Sequence, residues 1–156
     1  MLRVGITGGI GSGKSVVCKL FQLHGIPLFD ADAAAKMLMD TDQNIKAALI
    51  NTFGASVYKE GRVDRPFLAN IVFNQAEKLA QLNAIVHPAV IHYGKVWHAS
   101  QTSAYTIKEA ALFFESGSYK EMDVMIGVNA SETLRLQRAM LRDGADEATI
   151  RARMSK

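Results

Sequence analysis

Cysteine is nearly missing from this chain: Cys18 is the only one in 156 residues. An intrachain disulfide is therefore excluded, and the usage fits a reducing, cytoplasmic setting. Long apolar runs are missing as well. No stretch approaches the ~20 residues that a membrane-spanning helix needs, so no membrane partner is expected. The N-terminus lacks a basic segment followed by a cleavable apolar one, and no secretory leader is expected. Charge of one sign is scarcely in excess. There are 18 Lys and Arg against 15 Asp and Glu, a net +3. That suits a small anionic ligand but does not indicate nucleic acid. No repeat, low-complexity tract or Pro/Gly/Ser linker divides the chain. What is left is an ordinary globular composition, 49% apolar and 21% charged, at a length that suits one domain with at most a small subdomain.

Glycine, by contrast, is concentrated. The segment GITGGIGSGKS, from Gly5 to Ser15, follows the apolar run LRVGIT and precedes SVVCKLFQLHG. The first of these reads as a buried strand. The second reads as a helix with Val16, Val17, Leu20, Phe21 and Leu23 on one face, Cys18 in its packing and Gly25 as its stop. Gly8, four residues, then Gly13-Lys14-Ser15 is the phosphate-cradling pattern G-x-x-x-x-G-K-[ST]. Backbone N–H groups of such a loop turn inward onto phosphate oxygens, and the helix N-terminus adds a favourable dipole. Gly9, Ile10, Gly11, Ser12, Gly13, Lys14, Ser15 and Val16 are thus the candidate ATP-binding residues. Lys14 is expected at the β- and γ-phosphates, and the Ser15 hydroxyl on a Mg²⁺ ion that accompanies ATP.

Farther on, strands alternate with helices. IPLFD reads as a short second strand, DVMIGVN as a buried strand, and AYTIKEAALFFE as a strand at its start. ADAAAKMLMD, NIKAALINTFG (stopped by Gly54) and VDRPFLANIVF (capped by Asp64, with Pro66 in its first turn) read as helices. AEKLAQLNAIVHP is helical until Pro88 interrupts it, and AVIHYGKVWHAS resumes. SETLRLQRAMLRD is capped by Ser131, and DEATIRARMSK begins a last helix. The expected fold is α/β, with a parallel sheet flanked by helices and a helical insertion over about residues 31–100.

Two sets of charged residues stand out. Asp30 and Asp32 follow the second strand, where a carboxylate can accept a proton from an attacking hydroxyl or can cap a helix. Arg135, Arg138 and Arg142, three and four apart, share a helix face. Cations there can stabilise charge on a transferred phosphoryl group, or can form a solvated basic stripe, the better expectation for Arg135. His87 either ends a helix before Pro88 or serves a site. Phe113, Phe114 and Trp97 are expected in the core.

Taken in order, GITGGIGSGKS, FDAD, VDRPFLANIVF, LNAIVHP, LFFES and LQRAMLRD resemble the dephospho-coenzyme A kinase family over nearly the whole chain. That family transfers the ATP γ-phosphoryl group to the ribose 3′-hydroxyl of dephospho-CoA, the last step of CoA synthesis. The resemblance implies a P-loop nucleotide-kinase-like fold: a nucleotide-binding core in residues 1–30 and 101–135, a helical CoA-binding region in 31–100, and the start of a lid in 136–156. It implies that Asp32 is the general base and that Lys14, Arg138 and Arg142 act on the phosphates. It places Asp32, Arg65 and His87 with the acceptor, and ATP with Mg²⁺ and dephospho-CoA as the ligands. Three positions depart from the pattern: Ala111 stands where proline is usual, Glu109 where aspartate is common, and Val16 where a hydroxyl is common. Glu115 is retained. The family's chains also run on further, so the chain as it stands is expected to hold phosphate but turn over poorly. A kinase of another small metabolite such as a nucleoside monophosphate, or a nucleotide-binding fragment without turnover, is the alternative. A GTP switch is disfavoured by the lack of N-K-x-D and of D-x-x-G after the second strand.

Overall fold

In the computed structural model, residues 1–73 and 75–155 are described. Lys156, the last residue of the expected lid segment, lies outside them. The chain divides into two units: Met1–Phe29 with Gln101–Lys156, and Asp30–Ser100.

The first unit is built on a parallel sheet. β1 (Leu2–Thr7) takes its position from Val4 and Ile6, which alternate to one face and are buried. It pairs in parallel with β5 (Tyr105–Glu109) on one side and with β6 (Val124–Gly127) on the other. β2 (Leu28–Asp30) lies beyond β5, so the order is β2–β5–β1–β6. After β1 the chain enters α1 (Lys14–Leu23). Its buried face is Val17, Cys18 and Phe21, packed with Val4, Ile6 and Ile107. Val16, Leu20 and Leu23 are exposed, which corrects the face expected from the sequence. The five apolar residues spread over nearly half the helix circumference, so periodicity alone cannot choose which edge of that arc is buried. Gly25, at φ 76°, follows the helix end as expected.

β6 is likewise not the buried strand that its composition suggests. Val124 is 47% exposed, and among the described residues β6 is one of the two edge strands of the sheet. Phe113 is fully buried, but Phe114 is exposed. α6 (Glu132–Asp143) starts at Ser131, whose hydroxyl accepts from the Leu134 N–H, and ends on Gly144. α7 (Glu147–Met154) is capped by Asp146. Leu136, Ala139 and Ile150 form the apolar cluster between these two helices.

The second unit contains α2 (Ala31–Thr41), α3 (Gln43–Phe53), α4 (Arg65–Val72) and α5 (Ala76–Ala99) around Ile45, Leu49, Val57, Val63, Leu68 and Val72. Asp42 and Asp64 cap α3 and α4. The unit is not wholly helical. β3 (Tyr58–Lys59) and β4 (Arg62–Val63) form an antiparallel hairpin. Its turn residues Glu60 and Gly61 both have positive φ, 50° and 81°, the requirement of a type I′ turn. Two-residue strands leave no alternation to read, and Glu-Gly is not a strong turn signal. Pro88 does not interrupt its helix: α5 runs through it for 24 residues. His87 is therefore mid-helix and half-buried, not a helix terminus.

Candidate active site

The loop between β1 and α1 bends by the means its glycines allow. Gly11 and Gly13 have φ of 75° and 98°, conformations that cost other residues steric strain. The Ser12 N–H bonds the Gly9 carbonyl, and Gly13 caps α1 through its carbonyl, which accepts from Val16 and Val17. Other glycines admit neighbours. A Cβ on Gly8 would stand 2.5 Å from the Val128 carbonyl oxygen. One on Gly9 would strike the Arg135 guanidinium, and one on Gly11 the Arg135 carbonyl. The loop's glycines thus serve the approach of α6 as well as that of a ligand.

An open cavity of about 380 Å³ is lined by residues 8–16, Ala111, Arg138 and Arg142. It brings together all eight loop residues expected to bind ATP and two of the expected arginines. The Ser12 hydroxyl is buried without a hydrogen-bond partner.

Glu109 ends β5, beside the strand that feeds the loop, in register with Ile6. Its Oε1 accepts from Lys14 Nζ at 2.6 Å and from Ser15 Oγ at 3.1 Å. Burial pushes this carboxyl up, but the Lys14 ammonium, aided by Cys18 and Ser15, outweighs it and holds the group below the ordinary glutamate range. Sequence reasoning assigned Glu109 no role. A carboxylate closing a buried strand next to the loop-bearing strand was the available signal. Oxygen donors from a hydroxyl and an ionised carboxylate suit a hard divalent cation such as Mg²⁺. Among the described residues no group of three or more His, Cys, Asp or Glu could hold a metal ion.

The arginines of α6 differ in their surroundings. Arg138 is exposed, with Nη1 3.5 Å from the Gly11 carbonyl. Arg142 makes a two-point pair with Asp143, Nε to Oδ1 at 2.7 Å and Nη2 to Oδ2 at 3.0 Å. Asp143 also accepts from Arg153 of α7 at 2.7 Å. The Arg142 guanidinium, with Arg153, holds the Asp143 carboxyl down to about 2. Arg135 is half-buried, and its Nε donates to the Ile10 carbonyl at 3.0 Å. It is not part of a solvated stripe, which corrects the expectation from its helical spacing.

Asp32, Arg65 and His87 belong to the second unit. The Asp30 carboxylate accepts the Ala33 N–H at 2.9 Å and so caps α2, while Asp32 is exposed in the first turn. Arg65 donates to Asp40 Oδ2 at 2.7 Å and to the Lys36 carbonyl at 3.4 Å. Asp40 Oδ1 accepts from the Val63 N–H at 3.0 Å. Burial pushes Asp40 up, but Val63 and Arg65 hold it lower than an ordinary aspartate.

Comparison with known proteins bears on the family and the fold. A model of the dephospho-CoA kinase family matches residues 2–156. A dephospho-CoA kinase of Porphyromonas gingivalis is 40% identical over 99% of this chain and 76% of its own length. One from Salinibacter ruber is 38% identical over 99% and 79%. Among solved structures, a protein of Thermus thermophilus superposes with a TM-score of 0.86 at 34% identity, over 97% of this chain and 78% of that one. A dephospho-CoA kinase from Campylobacter jejuni gives a TM-score of 0.64 at 25% identity, over 98% and 78%. The chain, with its phosphate loop set in a parallel sheet between helices, belongs to the dephospho-CoA kinase family.

Proposed function

We propose that this protein transfers the γ-phosphoryl group of ATP to the ribose 3′-hydroxyl of dephospho-CoA, giving CoA and ADP. The observation that carries the reading is the cavity formed by the phosphate loop, Arg138 and Arg142, with Lys14 and Ser15 both held on Glu109, in a chain of this family. The loop N–H groups and the α1 N-terminus take the phosphates. Lys14 leaves Glu109 for the β- and γ-phosphate oxygens, where it is a point charge. Arg138 and Arg142 stabilise charge on the transferred group. Ser15 and Glu109 would hold Mg²⁺, which supplies neutralisation of phosphate charge. Asp32 accepts the hydroxyl proton. Resemblance to the family assigns this role to Asp32, while Asp30 caps α2. Arg65 and His87 are assigned to the acceptor by resemblance to the family.

The test is ADP release with ATP and Mg²⁺ against a panel of acceptors. Release should depend on dephospho-CoA, and the product should carry its new phosphate on the 3′-oxygen. Preference for a nucleoside monophosphate or another hydroxylated metabolite would overturn the assignment of acceptor. ATP binding without turnover on any acceptor would overturn catalysis.

A further inference from the structure

The geometry points to Arg135 as a positioning residue that clamps the phosphate loop onto α6 and sets the loop for ATP. This rests on the reading of the loop as the ATP site. Two contacts carry it, and both involve Ile10. The Ile10 carbonyl accepts from Arg135 Nε at 3.0 Å. The Ile10 side chain packs into the cluster of Leu136, Ala139 and Ile150 between α6 and α7. The loop is thus fastened to α6 by a polar contact and to the cluster shared by α6 and α7 by an apolar one. The fit is close, since side chains on Gly9 or Gly11 would collide with Arg135 itself.

The consequence follows from peptide geometry. In a trans peptide the C=O and the next N–H point in opposite directions. Fixing the Ile10 carbonyl on Arg135 therefore turns the Gly11 N–H away from the Arg135 guanidinium, and Gly11 lines the cavity. Without the clamp, that peptide plane is free to rotate and the donor is no longer pre-aimed. The same contact fixes the register of α6 against the loop. Arg138 and Arg142 follow on the same helix face and border the cavity. A charged donor to a carbonyl is stronger than a neutral one, and arginine presents it in a fixed plane.

Arg135→Met keeps the length and the apolar stem but removes the donor; Arg135→Lys restores a cation. In calorimetric titration with Mg-ATP, Arg135→Met should bind about tenfold more weakly. The KM for ATP should rise in parallel, while kcat at saturating ATP falls less than threefold, and Arg135→Lys should recover part of the loss. Hydrogen exchange of the nucleotide-free protein gives a second readout. The Ser12 amide, bonded to Gly9 within the loop, should exchange faster in Arg135→Met. A lowered Tm with ATP affinity and Ser12 exchange unchanged would overturn the clamp and leave Arg135 a packing residue. An unsubstituted protein that binds no ATP would overturn the reading of the loop instead, and the exchange of Ser12 would still decide the clamp.

Discussion

Glu109 sets one carboxylate oxygen against both groups that the loop offers to a nucleotide, Lys14 Nζ and Ser15 Oγ. An ionised carboxylate there opposes phosphate unless a cation lies between them. Glu109→Gln should therefore lower turnover with Mg-ATP at least tenfold, about 1.4 kcal/mol at the transition state, while metal-free ATP binds as well or better. Weaker metal-free binding in the variant would contradict this. The same group gives a pH dependence. Its pKa is depressed in the folded state, so its stabilisation is present above the unfolded value of ~4.3 and is lost as pH falls through the folded one. Glu109→Gln should flatten that part of the acid-unfolding profile. The aspartates separate in the same way. Asp32→Asn should lower kcat by ~10²-fold with ATP affinity nearly intact. Asp30→Asn should act through the cap, by about 1 kcal/mol or less in denaturant unfolding. Loss of chemistry in Asp30→Asn alone would reverse the assignment.

At the level of elements, Pro88 is the instructive case. The rule that proline stops a helix rests on a lost N–H and a clash with the carbonyl four residues back. Leu82, Ile85 and Ala89 pack on the core of the second unit, and Val86 and Val90 are buried. Burial on both sides of the proline holds the helix together across it. Pro88→Ala should raise stability by as much as ~3 kcal/mol in chemical denaturation; a fall would show that α5 needs the bend. What was legible in the sequence was local. The strand–loop–helix around Lys14, the caps at Asp64 and Ser131 and the stops at Gly25 and Gly54 depend on residues a few positions apart. What was not legible depended on distant partners: which face of α1 meets the sheet, that β6 lies at an edge, that Arg135 reaches Ile10, that Glu109 reaches Lys14. The hairpin at Tyr58–Val63 was local but too short to show a period. Between α6 and α7, Asp143 holds Arg142 and Arg153 together. Asp143→Asn should loosen α7, seen as faster exchange of the Ile150 amide.

For the molecule as a whole, the order of strands carries a consequence for how the protein forms. β1 has both of its neighbours far along the chain: Leu2 faces Tyr105 and Val4 faces Val124. The segment that carries the phosphate loop is made before its sheet partners and must wait for them. Closing a loop of roughly a hundred residues costs more entropy than the nearby contacts of α2–α5. On refolding, amides of the Asp30–Ser100 unit should become protected before those of β1, as read by pulse-labelled hydrogen exchange. During synthesis the delay is longer still, because β5 and β6 do not exist when β1 emerges. Val4 and Ile6, the buried apolar side chains of the first strand, are then unpaired apolar surface on a nascent chain. The strand that organises the finished nucleotide site is for that interval a liability to aggregation.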